Sequence, residues 1–273
     1  MLKDITLGQF FPGTSVLHKL DPRVKIIICI AYIVGIFLCE SVSAYIFLIG
    51  VTVALMVASQ LPIKNVLKGL KPVVLVICIT ALLNLLWRGG ETLVISFWIL
   101  NIYLEGIVSS VFMVIRITTL VIGTCVILTY TTSPIALTDA IERLLSPLRI
   151  FKLPVHEFAM MMTIALRFIP TLIEETDKIM NAQKARGSDF STGKFAERVK
   201  AFVPVLVPLF LSSFRRADDL AVAMECRCYR GGNGRTRMTQ LHLAKRDFLF
   251  VFLVALFIAG VVLINLYIPI YIP

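Results

Sequence analysis

Charge is scarce in this 273-residue chain. Asp, Glu, Lys and Arg together make up 16% of it, where soluble domains carry about 25%. Apolar residues make up 58% and the mean hydropathy is +0.88. So few charges cannot cover that much apolar surface in water, which excludes a soluble globular protein and leaves an integral membrane protein. Acid is scarcer still, with 17 Asp and Glu against 27 Lys and Arg. In a soluble chain that excess would point to nucleic acid. Here there is no long block of like charge and no recognition motif, so the positive-inside bias of membrane proteins accounts for it. No nucleic-acid partner is expected.

The chemistry-bearing patterns are missing too. Cys29, Cys39, Cys78 and Cys125 lie in apolar runs, where Cys acts as a small hydrophobe. Cys226 and Cys228 have a C-x-C spacing with no second pair, so neither a zinc site nor a disulfide framework is expected. His18, His156 and His242 stand far apart, outside any H-E-x-x-H. Gly231 to Arg237 is glycine-rich, yet no phosphate-binding G-x-x-x-x-G-K-[ST] and no G-x-S-x-G occurs. An enzyme active site has nothing to rest on. The apolar runs hold no Asp or Glu in their interiors, Glu40 and Glu105 lying at ends, and this disfavours an ion-coupled carrier. Arg116 is the single interior charge; between lining a polar path and pairing with a carbonyl or hydroxyl such as Thr118 or Thr80, the pairing is the favoured expectation. Residues before Lys25 lack the apolar stretch of a signal peptide, so no cleaved leader is expected.

What is present is helical. Five segments suit spanning helices of about 20 residues: roughly 24–40, 44–61, 70–88, 105–129 and 247–268. Lys25 is expected to snorkel at the start of the first, and Pro72 to open the third. Thr92 to Ile102 is too short to span and fits a re-entrant or interfacial piece. Lys3, Lys19, Arg23 and Lys25, then Lys64, Lys68 and Lys71, then Arg230, Arg235, Arg237, Lys245 and Arg246 fall on one side of a five-span arrangement. The positive-inside rule therefore places the N-terminus inside and the C-terminus outside. This gives an N-terminal membrane region 1–129, a cytoplasmic region 130–246 and a last transmembrane helix in 247–273.

The middle region, with 18 basic and 11 acidic residues, has helical periodicity. Ser133 and Pro134 open one helix, which ends before Pro154. A second opens at Pro154, is expected to kink at Pro170, and runs to Arg186, stopping at Gly187. A third begins near Lys194, with bends expected at Pro204 and Pro208, and ends near Arg227–Arg230. Two long amphipathic helices thus each finish in an arginine between small residues: Ala185-Arg186-Gly187 and Cys226-Arg227-Cys228. The plain explanation is that each arginine satisfies the last carbonyls of its helix. Its recurrence at two comparable ends weakens that explanation.

These residues, with Pro12 to Arg23, Arg167-Phe168-Ile169-Pro170 and Arg215 to Glu225, resemble the T component of energy-coupling-factor transporters, a group of ABC importers for vitamins and metal ions. The resemblance runs through almost the whole chain. It implies an all-α integral membrane protein of about five transmembrane helices plus about three amphipathic coupling helices in the cytoplasm of a prokaryotic cell. It implies a non-catalytic scaffold whose partners are two cytoplasmic ABC-type ATPases, a membrane substrate-binding S component and membrane lipid. ATP and Mg would sit on the ATPases, with no cofactor or metal on this chain. Arg186 and Arg227, with Ala185, Gly187, Cys226 and Cys228, would dock the ATPases. Cys226 and Cys228 replace the usual Ala and the Gly or Cys, both small. Met160 to Met162 form a flexible apolar cluster of the kind found on promiscuous surfaces. With the resemblance, Phe158, Met161, Met162 and Phe168 are the expected S-component contacts, the plain alternative being helix–helix packing. A membrane-anchored scaffold without transport, or a stand-alone carrier, are the other readings.

Overall fold

The computed structural model describes residues 10–89, 92–97, 100–151, 154–188, 190, 195–231 and 242–268. In chain order it comprises α1 (Pro22–Phe37), α2 (Val42–Ser59), α3 (Ile63–Trp87), β1 (Leu93–Phe97), β2 (Leu100–Tyr103) and α4 (Leu104–Thr124). A π-helical segment, Cys125–Thr129, prolongs α4. Then follow α5 (Pro134–Leu144), a 3-10 turn (Ser146–Phe151), α6 (Val155–Ala185), α7 (Phe195–Cys226) and α8 (Lys245–Tyr267). The fold is helical throughout, apart from one antiparallel hairpin pairing Leu93 with Tyr103 and Phe97 with Leu100. That hairpin occupies the stretch too short to span. The chain forms two units, one of residues 8–133 with 241–273 and one built on 134–240.

Among the described residues five helices are long and apolar enough to cross a membrane: α2, α3, α4 with its π segment, α6 and α8. This set differs in membership from the sequence expectation. The 16 residues of α1 reach only about 24 Å at ~1.5 Å per residue, so α1 is not among them, and the longer α6 is. Pro72 does not open α3: the helix begins at Ile63 and runs through Pro72, adding Lys64, Lys68 and Lys71 to its first turns. Lys194, Gly232 to Gly234, Arg235 and Arg237 lie outside the described residues.

In the first unit, helices approach closely where glycine meets an aromatic ring. The Tyr32 ring lies over Gly123 of α4, where an added Cβ would come within 2.2 Å of it, and Phe257 of α8 lies over Gly35 of α1 in the same way. Small residues let helix backbones come together in apolar surroundings. Phe257 also stacks with Tyr32 at 5.9 Å and with Phe47 at 6.0 Å, so α1, α2, α4 and α8 share one core. The Tyr32 hydroxyl is hydrogen-bonded to Thr52 Oγ1 at 2.8 Å and donates to the Thr119 carbonyl at 3.1 Å. Its polar end is satisfied inside that core, as a buried hydroxyl requires.

Lys25 does not snorkel. It is 2% exposed, and its ammonium donates to the Thr131 carbonyl at 2.8 Å and to Thr132 Oγ1 at 3.2 Å. Beside it Asp21 caps α1 by accepting from the Arg23 amide, and the Asp21 amide donates to Asp247 Oδ1 of α8 at 3.0 Å. The second Asp247 oxygen accepts from the Ala244 amide at 2.7 Å, capping α8. One buried polar cluster therefore joins the starts of α1 and α8 to the end of α4's extension.

The close approach at Gly123 yields a test. Gly123→Ala places a methyl group into the Tyr32 ring, and overpacking of this kind costs about 1–3 kcal/mol. Thermal unfolding in detergent is expected to show a lowered Tm, whereas Gly50→Ala, with open space around it, leaves it unchanged.

Candidate functional site: two matched helix ends

In the second unit α6 and α7 run antiparallel. Ser212 donates to Glu175 Oε1 at 2.5 Å, Arg216 pairs with the other oxygen of Glu175, and Gln183 Nε2 donates to the Pro204 carbonyl at 3.4 Å. Near the opposite end, Gly231 after α7 approaches Glu157 at the start of α6. The last turn of α6 thus lies beside the early part of α7, and the last turn of α7 beside the start of α6. Counting along α6, the two arginine ends are separated by roughly 40 Å at ~1.5 Å per residue.

The two ends have the same backbone. After α6, the Gly187 amide donates to the Lys184 carbonyl at 2.9 Å and the Ser188 amide to the Gln183 carbonyl at 3.0 Å, with Gly187 at φ +90°. After α7, the Cys228 amide donates to the Glu225 carbonyl at 2.8 Å and the Tyr229 amide to the Met224 carbonyl at 3.0 Å, with Cys228 at φ +54°. Both are Schellman caps, in which backbone amides past a left-handed residue take up the last carbonyls. Arg186 and Arg227 occupy the same position in each, immediately before that left-handed residue.

This removes the plain explanation for the arginines. The carbonyls that their side chains would satisfy are already bonded to backbone amides. Both arginines are exposed, and among the described residues neither guanidinium has a hydrogen bond or ion pair. Ala185, Gly187, Cys226 and Cys228 beside them are exposed and small. What results is two exposed guanidinium groups, each leaving its helix from a backbone position that the cap fixes.

The apolar candidates divide. Phe158 and Met161 are 58% and 57% exposed, and Met162 is exposed as well. Phe168 is half-buried and lines a cavity of about 280 Å³ between α6 and α7 with Leu172, Leu220 and Met224. The structure thus groups Phe158, Met161 and Met162 on an open face and sets Phe168 against α7.

Three residues elsewhere have roles that sequence patterns did not reveal. Arg116 pairs with a hydroxyl and a carbonyl as expected, but with different partners from Thr118 or Thr80: Nε donates to the Tyr45 hydroxyl at 2.6 Å and Nη2 to the Cys39 carbonyl at 2.9 Å, holding the α1–α2 connection. His18 folds the entry segment. Its Nε2 donates to the Phe11 carbonyl at 2.9 Å, and its Nδ1 is hydrogen-bonded to the Ser15 hydroxyl at 2.6 Å. The left-handed Cys228 left no signal, because a non-glycine residue in that conformation is set by the cap and not by its own type.

A family model described as cobalt transport protein, CbiQ, matches residues 13–239. The chain is also similar to proteins named energy-coupling factor transporter transmembrane protein EcfT. The one from Clostridium kluyveri is 54% identical over 250 residues, covering 91% of this chain and 92% of its own. The one from Ruminiclostridium cellulolyticum is 52% identical over 265 residues, covering 97% and 98%. The one from Bacillus subtilis is 45% identical over 247 residues, covering 90% and 93%.

The two caps differ in one respect that can be measured. A non-glycine residue in the left-handed region costs about 1 kcal/mol relative to glycine. Cys228→Gly is expected to raise Tm slightly, while Gly187→Ala lowers it by a similar amount. Thermal unfolding of the two variants side by side gives the comparison.

Proposed function

The chain belongs to the CbiQ family and is a multi-pass membrane component of the energy-coupling-factor kind, and on that premise we propose that it couples two cytoplasmic ABC-type ATPases to a membrane-embedded S component in micronutrient uptake. The observation that carries this reading is the duplicated cap. Two exposed arginines, identically held at opposite ends of an antiparallel helix pair, suit two copies of a like partner, one at each end. The ATPases bind ATP and Mg and do the hydrolysis; this chain is the non-catalytic scaffold. The S component holds the substrate, a vitamin or other micronutrient, and docks on the open Phe158, Met161 and Met162 face, with Phe168 contributing beneath it. Flexible Met side chains favour a surface that accommodates more than one partner.

Residues 130–246, with α5, α6 and α7, then lie on the cytoplasmic side, and α6 lies along the membrane instead of crossing it. Glu174, Glu175, Asp177, Lys178 and Lys184 in its second half support this, since ionisable groups at bilayer depth are costly. The five spans are then α1, α2, α3, α4 and α8, the short α1 crossing together with the residues that follow it, and the basic flanks around α1, α3 and α8 support an N-terminus inside and a C-terminus outside a prokaryotic cell membrane.

Two experiments test the reading. Leaving a buried charge on one partner unpaired costs about 2–5 kcal/mol, so Arg186→Glu and Arg227→Glu are each expected to weaken ATPase capture and abolish uptake in vesicles. Tm should stay unchanged, because neither side chain supports the cap. The double variant should capture no ATPase; normal capture would refute docking and leave a membrane scaffold without transport. Separately, Met161→Asp is expected to release the S component while both ATPases remain bound, read from the subunits that co-purify. Loss of all partners together would assign Met161 to helix packing.

A further inference from the structure

The first turns of α3 carry three lysines that neither the core nor the helix-end site uses. Lys64, Lys68 and Lys71 are spaced i, i+4 and i+7, which places them on one face of the helix. All three are exposed, and among the described residues none of their ammonium groups has a hydrogen bond or ion pair. They line one cavity of about 720 Å³ on the α3–α4 pair, and no acidic residue lines it with them. The cavity is otherwise walled by Leu67, Leu70, Val74, Ile77 and Thr118. Thr118 of α4 has no side-chain hydrogen bond among the described residues.

The order of these residues along the helix matters. From Lys64 to Lys71 the axis rises by about 10 Å at ~1.5 Å per residue, comparable to the polar layer of one leaflet, about 5–8 Å. Beyond Lys71 the lining turns apolar at Val74 and Ile77. A charged end followed by an apolar channel on a membrane helix has the shape of one ligand class, an amphiphile with an anionic head. Basic pockets on membrane helices attract anionic headgroups, and lysine stems lie comfortably along apolar surface with the charge at the polar layer.

We propose that this cavity is a binding site for an anionic phospholipid. Lys64, Lys68 and Lys71 hold the phosphate of its headgroup, an acyl chain lies along Val74 and Ile77, and the Thr118 hydroxyl donates to an ester carbonyl. The inference needs only the multi-pass membrane character of the chain and is independent of the coupling reading.

The test reconstitutes the full chain in bilayers of phosphatidylethanolamine and phosphatidylglycerol and counts retained lipid by native mass spectrometry. Wild type is expected to retain phosphatidylglycerol over phosphatidylethanolamine. K64Q/K68Q/K71Q should lower that retention by about tenfold or more, given that each lysine adds to the attraction. K19Q/K178Q/K200Q, which removes equal charge elsewhere, should leave it unchanged. Val74→Trp fills the apolar half without touching the charges and should also displace the lipid, so the proposal does not depend on one variant folding. Equal retention of the two lipids by wild type, or unchanged retention in the lysine variant, would overturn the proposal. So would displacement of the lipid by soluble glycerol phosphate, which would make this a free-anion site. Loss of a co-purifying acidic protein in place of lipid would assign the surface to a protein partner and overturn it equally.

Discussion

A primary ammonium is buried where α1 begins, and the geometry of the first unit is arranged around it. An unpaired buried charge is costly, so Lys25 must keep its partners, and both come from residues just past α4: the Thr131 carbonyl and the Thr132 hydroxyl. Asp21 and Asp247 tie the adjacent turns of α1 and α8 to each other. The start of the first helix, the start of the last and the end of α4's extension are thereby held in one place, although the two acids stand 226 positions apart in sequence. In apolar surroundings such contacts do what hydrophobic burial does in water: they define which helices are neighbours.

Much of this architecture was legible in the chain. The ends of α6 and α7 fell where glycine and small residues break the helical period, because capping is a local property. The start of α3 was not legible. Pro72 is a plausible first-turn residue, yet the helix continues through it, and the exposed lysines before it belong to the same helix. The burial of Lys25 was not legible for a related reason. A lysine near a helix start ordinarily reaches for water, and only the tertiary position of Thr131 turns it inward. The partners of Arg116, Tyr45 and Cys39, are 71 and 77 residues away and leave no local trace. The exposed face of Phe158, Met161 and Met162 and the turned-in Phe168 share one apolar stripe in sequence. Which part faces α7 is decided by packing.

The matched caps separate two tasks that helix ends often combine. Backbone amides close both helices, so among the described residues the arginine side chains take no part in the caps. Holding the charge immediately before a left-handed residue fixes where the side chain leaves the helix, and small neighbours keep its surroundings open. The pair Glu175–Arg216, with Ser212, joins the two helices between these ends, so whatever acts on one end acts on a braced pair and not on a lone helix.

The π-helical segment Cys125–Thr129 carries a consequence for chain length. There the Tyr130 amide donates to the Cys125 carbonyl, five residues back, at 2.9 Å, which amounts to one residue more than an α-helix accommodates in the same turn. Deleting that residue would restore regular α-helix, but everything after it would turn by about 100° around the axis. The Thr131 carbonyl and Thr132 hydroxyl would then face away from Lys25. At this point the chain is specified by a residue count as well as by the buried side chains of Val126 and Ile127: a single insertion or deletion would orphan the buried ammonium.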